Sequence, residues 1–153
     1  MKQRQIWKVF VALSILLLLV VTGCGNQPTT QQQPQPTANL HQPTKVELGL
    51  GKTEGIVDNP STVIPKDFTG FLNCRVTWAS PLPAGTEIRF LWEVNSAGKW
   101  QSVLDLKVNL DGKQDIAYSK VFRKGADPMP AGNWRVTIFE SGSQLKEVPF
   151  TVQ

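Results

Sequence analysis

The chain is 153 residues long, with 16 Lys and Arg against 12 Asp and Glu, a formal charge of +4, one His and two Cys. Its 41% hydrophobic content is too high for a wholly disordered chain, and two cysteines exclude a disulfide-stapled scaffold. The excess of base is an end effect: Lys2, Arg4 and Lys8 precede everything else, and without them 13 bases face 12 acids, which excludes the basic cluster a nucleic-acid partner requires.

The first element is an uncharged run of about 13 residues, 9–21, ending in Val21-Thr22-Gly23-Cys24. As a helix it extends about 20 Å, short of the roughly 30 Å hydrocarbon layer. Bases before it and small residues after it are the layout of an export signal rather than a membrane span. These residues resemble the lipobox of bacterial lipoproteins: an aliphatic residue, two small ones, then cysteine. The resemblance implies that Cys24 carries a diacylglyceryl group on its sulfur, that the chain is cut between Gly23 and Cys24, and that the new amino terminus is acylated, with palmitate among the chains expected. It implies an exported protein held by lipid on the outer face of the cytoplasmic membrane, or in an outer membrane where there is one. Two or more acyl chains, at about 0.8 kcal/mol per buried methylene, make such an attachment lasting.

Residues 24–45 form the next unit, a Gln-, Pro- and Thr-rich stretch with little to bury. It is expected to act as a disordered tether with extended polyproline-like segments. His41 stands alone in it, with no second metal ligand at a useful spacing, and is expected to be solvated.

From residue 46 to 153 the composition turns to alternating apolar and polar residues broken by Gly and Pro, enough for one domain with a real core. Ile88, Phe90, Trp92 and Val94 form one face of a strand, Trp100, Leu104, Leu106, Val108 and Leu110 that of the next, then Trp134, Val136 and Ile138, and finally Val148, Phe150 and Val152. Ser96-Ala97-Gly98, Asp111-Gly112 and Ser141-Gly142 read as hairpin turns, the second as a tight type I′ turn. Adding the run at residues 46–50, the run around Cys74 and the run at 114–123 predicts about seven strands in an all-β, two-sheet antiparallel sandwich. Pro81-Leu82-Pro83-Ala84-Gly85 recurs as Pro128-Met129-Pro130-Ala131-Gly132, but the flanks do not match, so the pair reads as one rigid turn used twice.

The pattern resembles immunoglobulin-like sandwich domains on specific residues. Cys74 holds the core position of a second strand, Trp92 that of the buried tryptophan on the third, and Gly132-Asn133-Trp134-Arg135-Val136 stands where a sixth strand often reads Gly-x-Tyr-x-Cys. Trp134 and Val136 replace the corner tyrosine and the second cysteine, so the resemblance implies neither a tyrosine corner nor an inter-sheet bridge. Cys74 is expected to be a buried, inert thiol.

No nucleophile–base pair, phosphate loop or metal-ligand spacing stands in this part, so neither an enzyme nor a cofactor is expected, and no catalytic or metal-binding residue is assigned. Leu91 and Phe139 lie on the outward parity of their strands, which the immunoglobulin-like arrangement makes neighbours, with Arg89, Glu93, Arg135 and Thr137 around them. They form the candidate protein-contact face of a non-catalytic binding or assembly module, whose expected partner is another envelope protein. The alternative is a cell-wall glycan binder using an aromatic surface, with a small envelope enzyme ranked behind it. Trp78, Trp92, Trp100 and Trp134 all share parity with core residues, and only Trp100, beside a turn, is a candidate glycan contact.

Overall fold

A computed structural model describes residues 40–122 and 128–153. Cys24 and the Gly23–Cys24 bond lie outside the described residues. The described chain contains nine strands and no helix: β1 (Lys45–Gly51), β2 (Asn59–Pro60), β3 (Val63–Ile64), β4 (Phe71–Thr77), β5 (Glu87–Ser96), β6 (Lys99–Asn109), β7 (Ile116–Phe122), β8 (Gly132–Glu140) and β9 (Ser143–Val152). The seven longer strands are those the alternation predicts. The extra two, β2 and β3, are two residues each and carry no period to read.

The strands form a four-stranded sheet in the order β2-β1-β4-β7 and a five-stranded sheet in the order β3-β9-β8-β5-β6. The two sheets are antiparallel as expected, with one local exception: the two-residue β3 runs parallel to β9. Its cause is the route of the chain: after β2 it crosses to the other sheet and lays Val63 beside Thr151. Asp111-Gly112 is likewise not a hairpin turn, because β6 and β7 belong to different sheets and the segment carries the chain from one to the other. Gly112 still needs its positive φ of 87°, since the chain bends there against Ala84.

Both inner faces meet as the alternation requires. Leu72, Cys74 and Val76 of β4 face Ile88, Phe90 and Trp92 of β5 and Val136 and Ile138 of β8, all fully buried. The Phe150 ring packs against two tryptophans, edge-on to Trp92 and stacked with Trp134, each at 6.0 Å between centroids. Trp92 crosses between the sheets and donates its Nε1–H to Ser119 Oγ at 2.9 Å, beside Cys74 in the register of β4 with β7. Trp134 donates Nε1–H to the Pro130 carbonyl at 3.0 Å, so an indole closes the turn before β8 by a bond to backbone just upstream. The repeated turn has a shared use too: its second residue, Leu82 in one copy and Met129 in the other, is buried in the core.

On the outer side of the four-stranded sheet, Asn73 is completely buried although it points away from the core. The loop at residues 52–58 folds over it. Asn73 accepts from Gly55 N–H at 2.9 Å and donates to the carbonyls of Ile56 at 2.7 Å and Thr53 at 3.3 Å. Gly51 permits this cover, since a Cβ there would strike the Ile56 carbonyl.

The candidate contact face and the clasp at His41

Neighbouring strands β5 and β8 place the predicted residues on the outer face of the five-stranded sheet. Cross-strand partners are Arg89 with Phe139, Leu91 with Thr137 and Glu93 with Arg135, so Leu91 and Phe139 are diagonal neighbours, each half-buried. Thr137 between them is buried, which an outward residue becomes only when large neighbours close over it.

Each arginine has an aromatic ring under it and carboxylates beside it. Arg89 makes a two-pronged bond to Asp105, Nε–H to Oδ1 at 2.7 Å and Nη2–H to Oδ2 at 2.8 Å, while its guanidinium lies 5.0 Å from the centre of the Phe139 ring. Arg135 donates Nε–H to Glu93 at 2.7 Å and Nη1–H to Glu147 at 3.1 Å, and sits 4.3 Å from the centre of the Trp100 ring. The bond to Asp105 raises the affinity of Arg89 for its proton, and the same bond pulls the Asp105 carboxyl below its ordinary range. Arg135 is likewise raised, chiefly by its bond to Glu93. The face is thus a rigid lattice of alternating charge over aromatic rings rather than a bare apolar patch.

Trp100 belongs to this face, not to the core side its parity predicts. In the pairing of β5 with β6, Trp92 stands opposite Leu104 and Glu93 opposite Ser102, which leaves Val103 as an unpaired bulge. One extra residue turns everything before it over to the other face, so Trp100 emerges 38% exposed under Arg135. It also walls a shallow depression of about 500 Å³ with Val63, Asn133, Pro149 and Thr151. Phe71, another outward aromatic, lies on the other sheet beneath Lys120, apart from Leu91 and Phe139.

His41 keeps an exposed side chain, 46% accessible, as expected of a solvated residue, yet it is held in place by partners the sequence does not announce. Its backbone N–H and its Nδ1 both meet the carboxylate of Glu140, at 2.9 and 2.5 Å, and its carbonyl accepts from Trp78 Nε1–H at 3.0 Å. Glu140 is 4% exposed at the end of β8, and a buried carboxylate must find donors. No pattern around a lone histidine announces such a pairing across 99 positions.

No family model and no curated protein matches the sequence. Among solved structures, the chain is similar to a β-glucosidase from Listeria innocua in complex with gluconolactone, at 13% identity over 70% of this chain and 16% of that one, with a TM-score of 0.39. It is similar to the alkylpurine DNA glycosylase AlkC of Pseudomonas fluorescens, bound to DNA containing an abasic site analog, at 15% identity over 60% of this chain and 28% of that one, with a TM-score of 0.35. It is also similar to an immunoglobulin-like protein from Pseudomonas aeruginosa, at 16% identity over 71% of this chain and 92% of that one, with a TM-score of 0.51. At that identity the likeness speaks to architecture alone, and the architecture is an immunoglobulin-like β-sandwich.

Proposed function

We propose that this chain is an exported lipoprotein, anchored through lipid on Cys24, whose immunoglobulin-like domain binds another envelope protein through the outer face of its five-stranded sheet. The observation that carries the reading is the lattice of Arg89 over Phe139 and Arg135 over Trp100, with Leu91 between them. Arginine and aromatic side chains already fixed in position lose little freedom on contact, and they are the residue types in which binding energy concentrates. Binding is favoured over catalysis because the buried Cys74 thiol is pushed up to about 12 and so is not poised to react.

Two measurements test it. Mass spectrometry of the native amino terminus should find acylated Cys24 as the first residue; an unmodified Cys24 still joined to Gly23 sinks the anchoring. Crosslinking capture in native membranes should lose its partner on the double change Leu91→Ser and Phe139→Ser, with the melting temperature nearly kept; capture that survives sinks the face. A second reading is favoured by the uncharged lining of the depression beside Trp100. A neutral cell-wall glycan stacked on that indole would quench tryptophan fluorescence in the parent and not in Trp100→Ala.

A further inference from the structure

Among the described residues, strand β6 is the free edge of the five-stranded sheet, and its inward side is open. Leu104, Leu106 and Val108 stand opposite Trp92, Phe90 and Ile88 and point the same way, yet those three on β5 are fully buried while Leu106 is 37% exposed and its two neighbours are half-buried. The facing sheet does not cover this row. Past the bulge at Val103, residues 104–109 pair regularly with β5, so their outer edge offers a straight run of backbone donors and acceptors.

We propose that a second copy of this chain covers the row, β6 pairing antiparallel with β6 of its partner about a two-fold axis through Leu106. The pleat requires the axis to pass through a residue, since only then do inward side chains meet inward ones. Centred on Leu106, the register sets Leu106 against its own copy, Leu104 against Val108, and Asp105 against Lys107, twice. Centred on Asp105 or on Lys107, it sets like charge against like. The favoured register also completes a chain of alternating sign, because Asp105 is already held by Arg89 and Lys107 by Glu87. The result is one continuous sheet through two domains, with the row of leucine and valine shielded from both sides.

A cysteine on the axis reports this register, since directly paired residues place Cα atoms about 4.5–5.5 Å apart, within disulfide reach. In the full chain, with Cys74 sealed in the core, oxidation of Leu106→Cys should give a covalent dimer, and Ser102→Cys, away from the axis, should not. The same pair in a Cys24→Ser background removes any bridge through Cys24. Adding Lys107→Asp to Leu106→Cys should slow the dimer about tenfold, since two attractive pairs become repulsive. Adding Asp105→Lys instead should slow it similarly, and mixing the two variants should restore a heterodimer. Dimer formation indifferent to these charges, equal crosslinking at Ser102→Cys, or an adduct of Leu106→Cys with a different protein in place of itself would each overturn the proposal.

Discussion

Cys74 is sealed between the sheets, and desolvation of its thiolate pushes the thiol up to about 12. In the unfolded chain a cysteine ionises near 8.5, so below that pH both states hold the proton and the sulfur contributes no pH dependence. Between the two values the unfolded chain sheds the proton and the folded one keeps it, so stability falls as pH rises, by about 1.4 kcal/mol per pH unit. Urea melts from pH 8 to 11 should show this decline in the parent and a shallower one in Cys74→Ala; identical slopes would mean that the thiol is reached by water. Position 74 was legible from alternation alone, because a small apolar side chain with Leu72 and Val76 on its parity has one place to go. Position 73 was not. Its partners are three backbone groups of a loop about 20 residues upstream, and nothing in Phe71-Leu72-Asn73-Cys74 signals a lid over the outward face.

That lid is an element-scale device, and Asn73 is the pin that holds it. Removing the amide in Asn73→Ala leaves the buried Gly55 N–H and the Ile56 carbonyl without their partner, while the Thr53 carbonyl still accepts from Ile56 N–H, a loss of about 2–3 kcal/mol. Amide exchange should accelerate most in residues 52–58; a change spread evenly over the sandwich would mean the loop is held by other contacts, such as the pairing of Glu54 with Lys120. Strand existence was readable throughout the longer elements because one buried face imposes period two and Gly marks the turns. Two things at this scale were not. The bulge at Val103 is one residue in a run of eleven, and a single insertion inverts every assignment on one side of it, Trp100 included. The destination of a turn is also unreadable, for Asp111-Gly112 bends the chain equally well whether the next strand pairs with the last or leaves for the other sheet.

At the scale of the whole molecule, the sandwich is closed at its amino-terminal corner by residues that precede its first strand. His41 and Thr44 bond to Glu140, Trp78 and Thr77, drawing together β8, the end of β4 and the segment ahead of β1. A chain beginning at Lys45 leaves the Glu140 carboxylate buried without its donors, and its melting temperature should drop relative to one beginning at Leu40. The deficit should correspond to about 2 kcal/mol. Equal melting temperatures would mean that water replaces His41 at no cost. The clasp has a mechanical meaning as well. A pull on the chain from its amino-terminal side would load the three hydrogen bonds at His41 and then the two from Thr44 to the Thr77 carbonyl before it reached the seven-residue ladder of β1 with β4. A weak tug would be absorbed there, as by a fuse, and the hydrophobic interior would stay shut until the ladder itself was strained.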